Sequence, residues 1–222
     1  MPGRPPRRRP SRSLAEGVDH LVYAAPRLED GMEAVARLLG VRPVLGGRHP
    51  GFGTHNALVA LGPTTYLEVI APDPGLPPPD RGVLFFDDDG HETARLATWA
   101  ARSEAIEEAV TALKAAGFDL ADIQAGSRET PDGALLSWRL TDPWAPRLGG
   151  AIPFLIAWGG TPHPARSAPP AGQLVGMCIE HPEPERVGRA LAVLGLETDV
   201  RCAERFRLVA TIETARGEVE LT

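Results

Sequence analysis

The sequence contains no long hydrophobic segment, few aromatic residues and only two cysteines. No run approaches about 18 uninterrupted apolar residues, which argues against a membrane-spanning helix. Aromatic residues make up 5% of the chain, too few for the stacking platforms of single-stranded nucleic-acid-binding proteins. Cys178 and Cys202 lack the number and spacing of a disulfide framework or a zinc site. We therefore expect a protein of a reducing, cytoplasmic compartment with no membrane partner.

Charge is unevenly distributed along the 222 residues. The formal net charge is −6, and residues 1–14 contain five arginines and no acid, so the first 14 residues carry +5 and the remainder carries −11. An acidic body opposes binding to phosphate, so we expect no nucleic-acid partner. Residues 1–16 are too rich in proline and arginine to bury an apolar face, which predicts a disordered basic tail. Such a tail is either an electrostatic tether for an anionic partner or functionally inert.

The rest of the chain contains three weakly similar units. Each begins with a short apolar strand and an amphipathic helix that closes at a glycine, and strands of alternating polarity follow. The closing glycines are 77 and 78 residues apart. This periodicity predicts an α+β fold with two βαβββ modules, over residues 17–90 and 91–172, and a third, partial βαββ module over residues 173–222.

Two polar side chains interrupt apolar strands of the first unit. In its first strand, alternation places His20 with Val18 on the face away from the helix. In its last strand, alternation places Glu68 with Tyr66 on that same face, so the imidazole and the carboxylate can meet on a concave surface. Such a pair can ligate a divalent metal or act as general acid and base. A solvent-facing, cross-strand ion pair would give the same pattern.

The segment at 46–56 combines four glycines with Arg48, His49, His55 and Asn56. Glycines allow a close approach of the backbone, and the polar side chains supply hydrogen-bond donors at the mouth of a strand. The segment is therefore predicted to form the rim of a pocket for a small anion or a carbonyl group. A flexible hairpin with incidental polar residues is the alternative.

Several connecting segments are less regular. We expect the strand before the glycine-rich segment to end at residue 45, and we expect a weak strand at 119–124. The proline-rich connection at 71–90 contains Leu84, Phe85 and Phe86. These three residues either form an apolar plug over the cleft or pin the loop to the core.

Three segments carry a family resemblance: DHLVYAAP at 19–26, GGRHPGFGTHNALVALG at 46–62 and TYLEVIAPDP at 65–74. They resemble the glyoxalase-like branch of the vicinal oxygen chelate superfamily, which includes glyoxalase I, bleomycin-resistance proteins and extradiol dioxygenases. The resemblance implies paired βαβββ modules whose mixed sheets curl around a shared cleft. It also implies that His20 and Glu68 match metal-ligand positions. There a divalent ion (zinc, nickel, manganese or iron) binds two neighbouring substrate oxygens as a Lewis acid.

The second module departs from this family pattern. Its first strand offers Ala97 and Thr98, and its last strand, at 152–157, contains no acid. Two of the usual four metal ligands are therefore missing. Either His55, His91 or solvent completes the site, or no metal is bound.

Together these features predict a protein that binds a small molecule, with a monomer and a homodimer both compatible with the paired modules. The favoured prediction is an enzyme of lyase, isomerase or oxygenase type that acts on a substrate with vicinal oxygens. A metal-free protein that binds a drug or metabolite, as bleomycin-resistance proteins do, is the alternative, and a degenerate scaffold whose tail recruits a partner is a third. His20 and Glu68 are the predicted catalytic residues and metal ligands, and the predicted substrate-binding residues are Arg48, His49, His55, Asn56 and Tyr66.

Overall fold

A computed structural model of the protein describes residues 17–86, 93–129, 133 and 135–222, apart from the Glu129 side chain. The predicted basic tail at 1–16 and His91 lie outside the described residues. The first half contains β1 (Val18–Ala24), α1 (Leu28–Leu39), β2 (Val44–His49), β3 (Thr54–Ala60) and β4 (Tyr66–Pro72). Next come β5 (Arg95–Arg102), α2 (Ile106–Ala115), β6 (Ile123–Glu129), β7 (Leu135–Thr141) and β8 (Phe154–Ala157). The last elements are β9 (Gln173–His181), α3 (Pro184–Leu194), β10 (Asp199–Cys202), β11 (Arg207–Thr214) and β12 (Gly217–Leu221).

Eight strands form one mixed sheet in the order β2-β3-β4-β1-β5-β8-β7-β6. The first four strands belong to one βαβββ module and the last four to another, and the two modules join through the antiparallel pair β1–β5. Within each module the first and last strands are parallel. The two outermost strands, β2 and β6, contact each other, so the sheet curls around a cleft. The predicted α+β fold with paired modules is confirmed.

The C-terminal segment forms a second sheet in the order β10-β9-β11-β12. Three strands follow its helix, at the three places where the sequence pattern indicates strands, so this module has one strand more than the partial βαββ unit named for it. Its pairing also differs from that of the first two modules. There the first strand is parallel to the last, whereas β9 is parallel to β10, the strand directly after the helix. The predicted division of the chain at residues 90 and 172 stays a prediction.

Apolar residues are buried on both faces of the eight-stranded sheet. The helix-covered face buries Leu21 and Leu67, and its core continues without a break into the second sheet through Ile179. The concave face buries a separate cluster that includes Ile70 and Phe154. No helix in the described ranges has the length and apolar character needed to cross a membrane.

The end of α1 shows why this helix stops where the sequence predicts. Gly40 has φ +77°, and its N–H donates to the Ala36 carbonyl. This left-handed conformation is unfavourable for residues with a Cβ, so glycine is the residue suited to close the helix. The chain then turns toward β2, which forms one edge of the cleft.

Candidate active site

A bulge in β1 sets the orientation of the first polar residue of the site. Val18 pairs with Ala101 and His20 with Ala100, so Asp19 is an extra residue opposite the β5 strand. A bulge of this kind changes the direction of the side chains around it. Val18 packs into the helix-side core, so the prediction that Val18 shares a face with His20 is wrong. Asp19 is fully buried and reaches the polar residues around His20.

The Asp19 carboxylate accepts hydrogen bonds from three rings and lies beside a guanidinium. Its oxygens lie 2.8 Å from His20 Nδ1, 3.1 and 3.2 Å from Trp158 Nε1, 3.2 Å from His163 Nε2 and 3.5 Å from Arg102 Nε. Burial by itself raises the pKa of Asp19, but the hydrogen bonds from His163 and His20 hold it well below the usual value. Asp19 is therefore ionised, and its negative charge is held permanently against the His20 ring.

The structure brings His20 and Glu68 together on the concave face. His20 Nε2 lies 3.8 Å from Glu68 Oε2, and both residues are buried. Tyr66 stacks on the His20 ring at a centroid distance of 4.6 Å, and Phe154 meets the ring edge-on at 5.4 Å. Because Nδ1 donates to Asp19, Nε2 of the neutral imidazole is the nitrogen that accepts a proton. The roles of His20, Glu68 and Tyr66 stay predictions.

Asn56 and His49 extend the polar wall of the site. Asn56 Nδ2 donates to Glu68 Oε1 at 2.5 Å and lies 3.5 Å from His49 Nε2. Burial lowers the pKa of His49, and the negative charge of Glu68 opposes this only in part. Among the described residues Asn56 Oδ1 has no hydrogen-bond partner. It lies so close to Gly46 that a Cβ at position 46 would sit 2.3 Å from it, so glycine is required there.

The second module supplies one buried cation and an apolar wall. Arg128 of β6 is 7% exposed, and its Nη1 donates to the Gly46 carbonyl across the β2–β6 contact. Burial lowers the pKa of Arg128, and the nearby Tyr66 and Glu68 oppose this change. The wall itself comes from Trp138, Leu140, Phe154 and Ile156.

These side chains enclose a cavity, here called the inner cavity, of about 50 Å³. A water molecule needs roughly 10–15 Å³ by this measure, so the inner cavity holds about four waters. Phe52, Leu84 and Phe85 line the cavity, and Phe86 packs on the same apolar cluster. The segment at 84–86 therefore lies at the cleft and also packs on its core, so both sequence predictions for it stay predictions.

Arg48 and His55 do not line the inner cavity. Arg48 has a side chain 54% exposed and pairs with Asp73, with Nε 2.5 Å from Oδ2 and Nη2 3.2 Å from Oδ1. His55 is half-buried. Both line a separate outer groove of about 700 Å³, and only Asn56 and Arg128 line the groove and the cavity together. The predicted substrate-binding roles of Arg48 and His55 stay predictions.

The donor set of the inner cavity does not fit the four-ligand metal site that the resemblance implies. His20 and Glu68 supply two donors, whereas β8 presents Phe154 and Ile156 to the cavity. Within the described ranges, no three His, Cys, Asp or Glu residues are grouped to hold a metal ion. A divalent ion held by His20 and Glu68 alone would bind weakly, because dedicated sites use three or four protein ligands. The residues of the inner cavity are therefore considered for chemistry that uses no metal ion.

Four residues of this site were not predicted as functional: Asp19, Arg128, Trp158 and His163. The sequence shows an acid directly before His20, which could have indicated a functional role. Regular alternation, however, would place Asp19 on the helix-covered face, away from His20. His163 lies in the proline-rich connection between β8 and β9, where a histidine next to proline is typical of a turn. That connection folds back along β3, through hydrogen bonds between Ala60 and residues 169 and 171.

Comparisons with known proteins agree with this architecture. A hypothetical protein from Staphylococcus aureus has the same fold, with a TM-score of 0.63 and 12% identity over 92% of this chain and 98% of its own. Methylmalonyl-CoA epimerase from Mycobacterium tuberculosis is 19% identical over 65% of this chain and 87% of its own, with a TM-score of 0.40. A methylmalonyl-CoA epimerase in complex with methylmalonyl-CoA and NH4+ is 14% identical over 68% and 99%, with a TM-score of 0.45. A search of curated proteins gives no match.

A family model described as a glyoxalase-like domain matches residues 18–195, which cover both βαβββ modules, α3 and the whole inner cavity. The chain therefore belongs to the glyoxalase-like domain family.

Proposed function

We propose that this protein is an enzyme of isomerase or lyase type that moves a proton at a carbon atom of a small substrate with two vicinal oxygens. The observation that carries this proposal is the buried pair of His20 Nε2 and Glu68 Oε2, 3.8 Å apart at the wall of the inner cavity. Two proton-transfer groups at this spacing can both reach one reacting carbon and its oxygen.

Asp19 supports the assignment of His20 as the base. When Nε2 accepts a proton, the imidazolium is stabilised by the ionised carboxylate 2.8 Å from Nδ1. The C–H bond next to a carbonyl then breaks, and its proton passes to Nε2. Its electron pair forms a C=C bond while the π pair of the carbonyl moves onto the carbonyl oxygen, which gives an enolate or, where the carbon also bears a hydroxyl, an enediolate. Return of this proton to the same or to the neighbouring carbon completes an epimerisation or an isomerisation.

Glu68 is suited to hold the vicinal hydroxyl group of the substrate. Asn56 fixes Oε1 of Glu68 through a hydrogen bond of 2.5 Å, so Oε2 is the oxygen directed toward His20. A carboxylate in this position accepts a hydrogen bond from the hydroxyl and can carry its proton to the neighbouring oxygen. A bound substrate that covers the apolar wall would displace the water that otherwise competes for both groups.

The alternative function is binding without turnover. The observation that favours it is the apolar second-module wall, in which Trp138 and Phe154 offer stacking surfaces and no proton-transfer group. Under this alternative, His20 and Glu68 only contact the bound molecule, whereas under the proposed function they also transfer its protons. A measurement of reaction at the substrate carbon separates the two.

The test is exchange of carbon-bound hydrogen with deuterated solvent, followed by proton NMR over a panel of hydroxyketones, 2-oxo acids and 2-hydroxy acids. His20→Gln and Glu68→Gln should each lower the exchange rate by at least about 100-fold, the lower range for acid–base catalysis, with little change in Tm. Glu180→Gln, which removes a carboxylate of the second sheet, is the matched control and should exchange normally.

Two outcomes would contradict the proposal. Undiminished exchange in both His20→Gln and Glu68→Gln would place the chemistry elsewhere. Thermal stabilisation by panel compounds with no exchange in the natural protein would favour the binding function. The same test includes metal controls. Hydrogen exchange should continue in the presence of a chelator, and titrations of the protein with zinc, nickel and manganese should show only weak metal binding. Equal metal affinity in the natural protein and Glu68→Gln would remove Glu68 as a ligand.

We extend the proposal to a reducing, cytoplasmic location. Cys178 is half-buried and Cys202 is exposed, and both are free thiols. Free thiols are typical of proteins kept under reducing conditions, which supports this part of the proposal.

A further inference from the structure

The guanidinium of Arg128 is the part of the inner cavity that the proposed chemistry does not use. Arg128 is 7% exposed and lies in the cavity wall. A guanidinium carries five N–H donors, and the described residues offer it one acceptor, the Gly46 carbonyl. No carboxylate among the described side chains lies within ion-pairing distance of it. A buried cation in this state is costly unless an anion reaches it.

Glu68 is close enough to influence Arg128 but is engaged elsewhere. Its Oε1 accepts from Asn56 and its Oε2 faces His20. Asp19, the other acid near the site, is already engaged by the His20 and His163 rings and by the guanidinium of Arg102. The positive charge of Arg128 is therefore available to pair with an anionic group that enters the inner cavity from outside.

The chemistry of this charge indicates what enters. Guanidinium binds carboxylate through two parallel hydrogen bonds, which fixes the position of the bound acid. The inner cavity is small, about 50 Å³, which favours a short acid over a long one. Trp138 and Phe154 provide apolar surface for its alkyl end.

We infer that the substrate is a short 2-oxo or 2-hydroxy carboxylate, with its carboxylate on Arg128 and its 2-oxygen at Glu68. The carbon that loses its proton, C3 of an oxo acid or C2 of a hydroxy acid, then lies at His20. This inference rests on the proposed function, because it names the substrate class of the same site. The carboxylate and the 2-oxygen are vicinal oxygens, so a single acid meets both requirements. Arg128 is then the residue that selects acids over neutral analogues.

Calorimetric titration of the full-length protein tests this inference. The probes are pyruvate and lactate, compared with their neutral counterparts pyruvamide and lactamide. The acids should bind more tightly than the amides, and Arg128→Gln should weaken acid binding about 10- to 100-fold, the usual range for hydrogen bonds to a charged group. Amide binding should not change. Arg207→Gln, which removes an exposed arginine of the second sheet, is the matched control.

Arg128→Lys covers the case in which Arg128→Gln fails to fold, because a lysine can still donate to Gly46 across the β2–β6 contact. It keeps the charge but loses the paired hydrogen bonds, so we expect an intermediate loss of acid affinity. Equal affinity of the natural protein for acids and amides would overturn the inference without any variant. Unchanged acid affinity in a folded Arg128→Gln protein would overturn it as well.

The two proposals fail in different ways. If acids bind through Arg128 but no carbon-bound hydrogen exchanges, the substrate class stands as a ligand class and the proposed reaction is wrong. If neutral hydroxyketones exchange as fast as the acids in a reaction that needs His20 and Glu68, the reaction stands and the substrate class is wrong.

Discussion

Asp19 determines which nitrogen of His20 is available for chemistry. Its carboxylate accepts from Nδ1, so Nε2 remains for the cavity. In Asp19→Asn the amide can donate to Nδ1 and reverse the tautomer. We therefore expect proton exchange to fall at least about 100-fold, and the histidine ¹⁵N shifts should show Nδ1–H in the natural protein and a different tautomer in the variant. An unchanged tautomer with normal exchange would show that Asp19 does not position the ring.

The same substitution has a predictable pH dependence. The pKa of Asp19 is lower in the folded protein than in the unfolded chain, so its ionisation stabilises the fold above the unfolded-state pKa of about 4. This contribution is lost as the pH falls through the folded-state pKa. Urea denaturation should show Asp19→Asn to be less stable by about 1–3 kcal/mol at about pH 6, and the difference should shrink at about pH 3.

Single residues of the site differ in how far the sequence predicts them. His20 and Glu68 were placed on the concave face because both lie in apolar strands, where a polar side chain marks the second face. The same pattern does not predict Arg128, because the sequence indicates a strand at 119–124 whereas the strand lies at Ile123–Glu129. The cluster around Asp19 depends on Trp158 and His163, which approach only through a long irregular connection.

At the scale of elements, we expect the segment at 84–86 to cover the cleft. Phe85 lines the inner cavity with φ +68°, whereas Phe86 packs on the same apolar cluster without lining the cavity. Phe85→Ala should therefore open the cavity at a cost of about 1–2 kcal/mol, below the roughly 3–5 kcal/mol of a fully buried phenylalanine. Acrylamide should quench the fluorescence of the cavity-lining Trp138 and Trp158 more strongly in this variant.

Phe86→Ala is the matched control for the cover. It removes the same ring from the neighbouring position, and its quenching should equal that of the natural protein. Equal quenching in all three proteins would show that the Phe85 ring does not close the entrance.

The edge strand β2 shows why element boundaries were harder to predict than the elements themselves. Glycine weakens strands in general, so the strand was expected to end at residue 45 and a loop to follow. The strand continues to His49 because Gly46 is paired to β6 through Arg128 and leaves space for Asn56. Both reasons are tertiary contacts, which local composition does not contain.

At the scale of the whole molecule, the two modules share a topology but divide the chemistry. The first supplies Asp19, His20, Asn56 and Glu68, and the second supplies apolar surface and Arg128. The repeat in the sequence predicted the shared topology because each unit repeats the same order of strand, helix and glycine. The sequence indicates the difference between the two modules only through the absence of an acid at 152–157.

We expect the second sheet to unfold together with the two modules, since one core cluster runs through both. Ile179 in β9 is fully buried in that cluster, so Ile179→Ala should lower the free energy of unfolding by about 2–5 kcal/mol. All four tryptophans lie between residues 99 and 158, outside the second sheet. In Ile179→Ala the unfolding transition measured by tryptophan fluorescence should nevertheless move to a lower denaturant concentration. It should coincide with the unfolding transition measured by far-ultraviolet circular dichroism. Val175→Ala, at a position 43% exposed on the same strand, should change the stability by no more than about 0.5 kcal/mol. A tryptophan transition that does not move in Ile179→Ala would mean that the second sheet unfolds on its own, independently of the inner cavity.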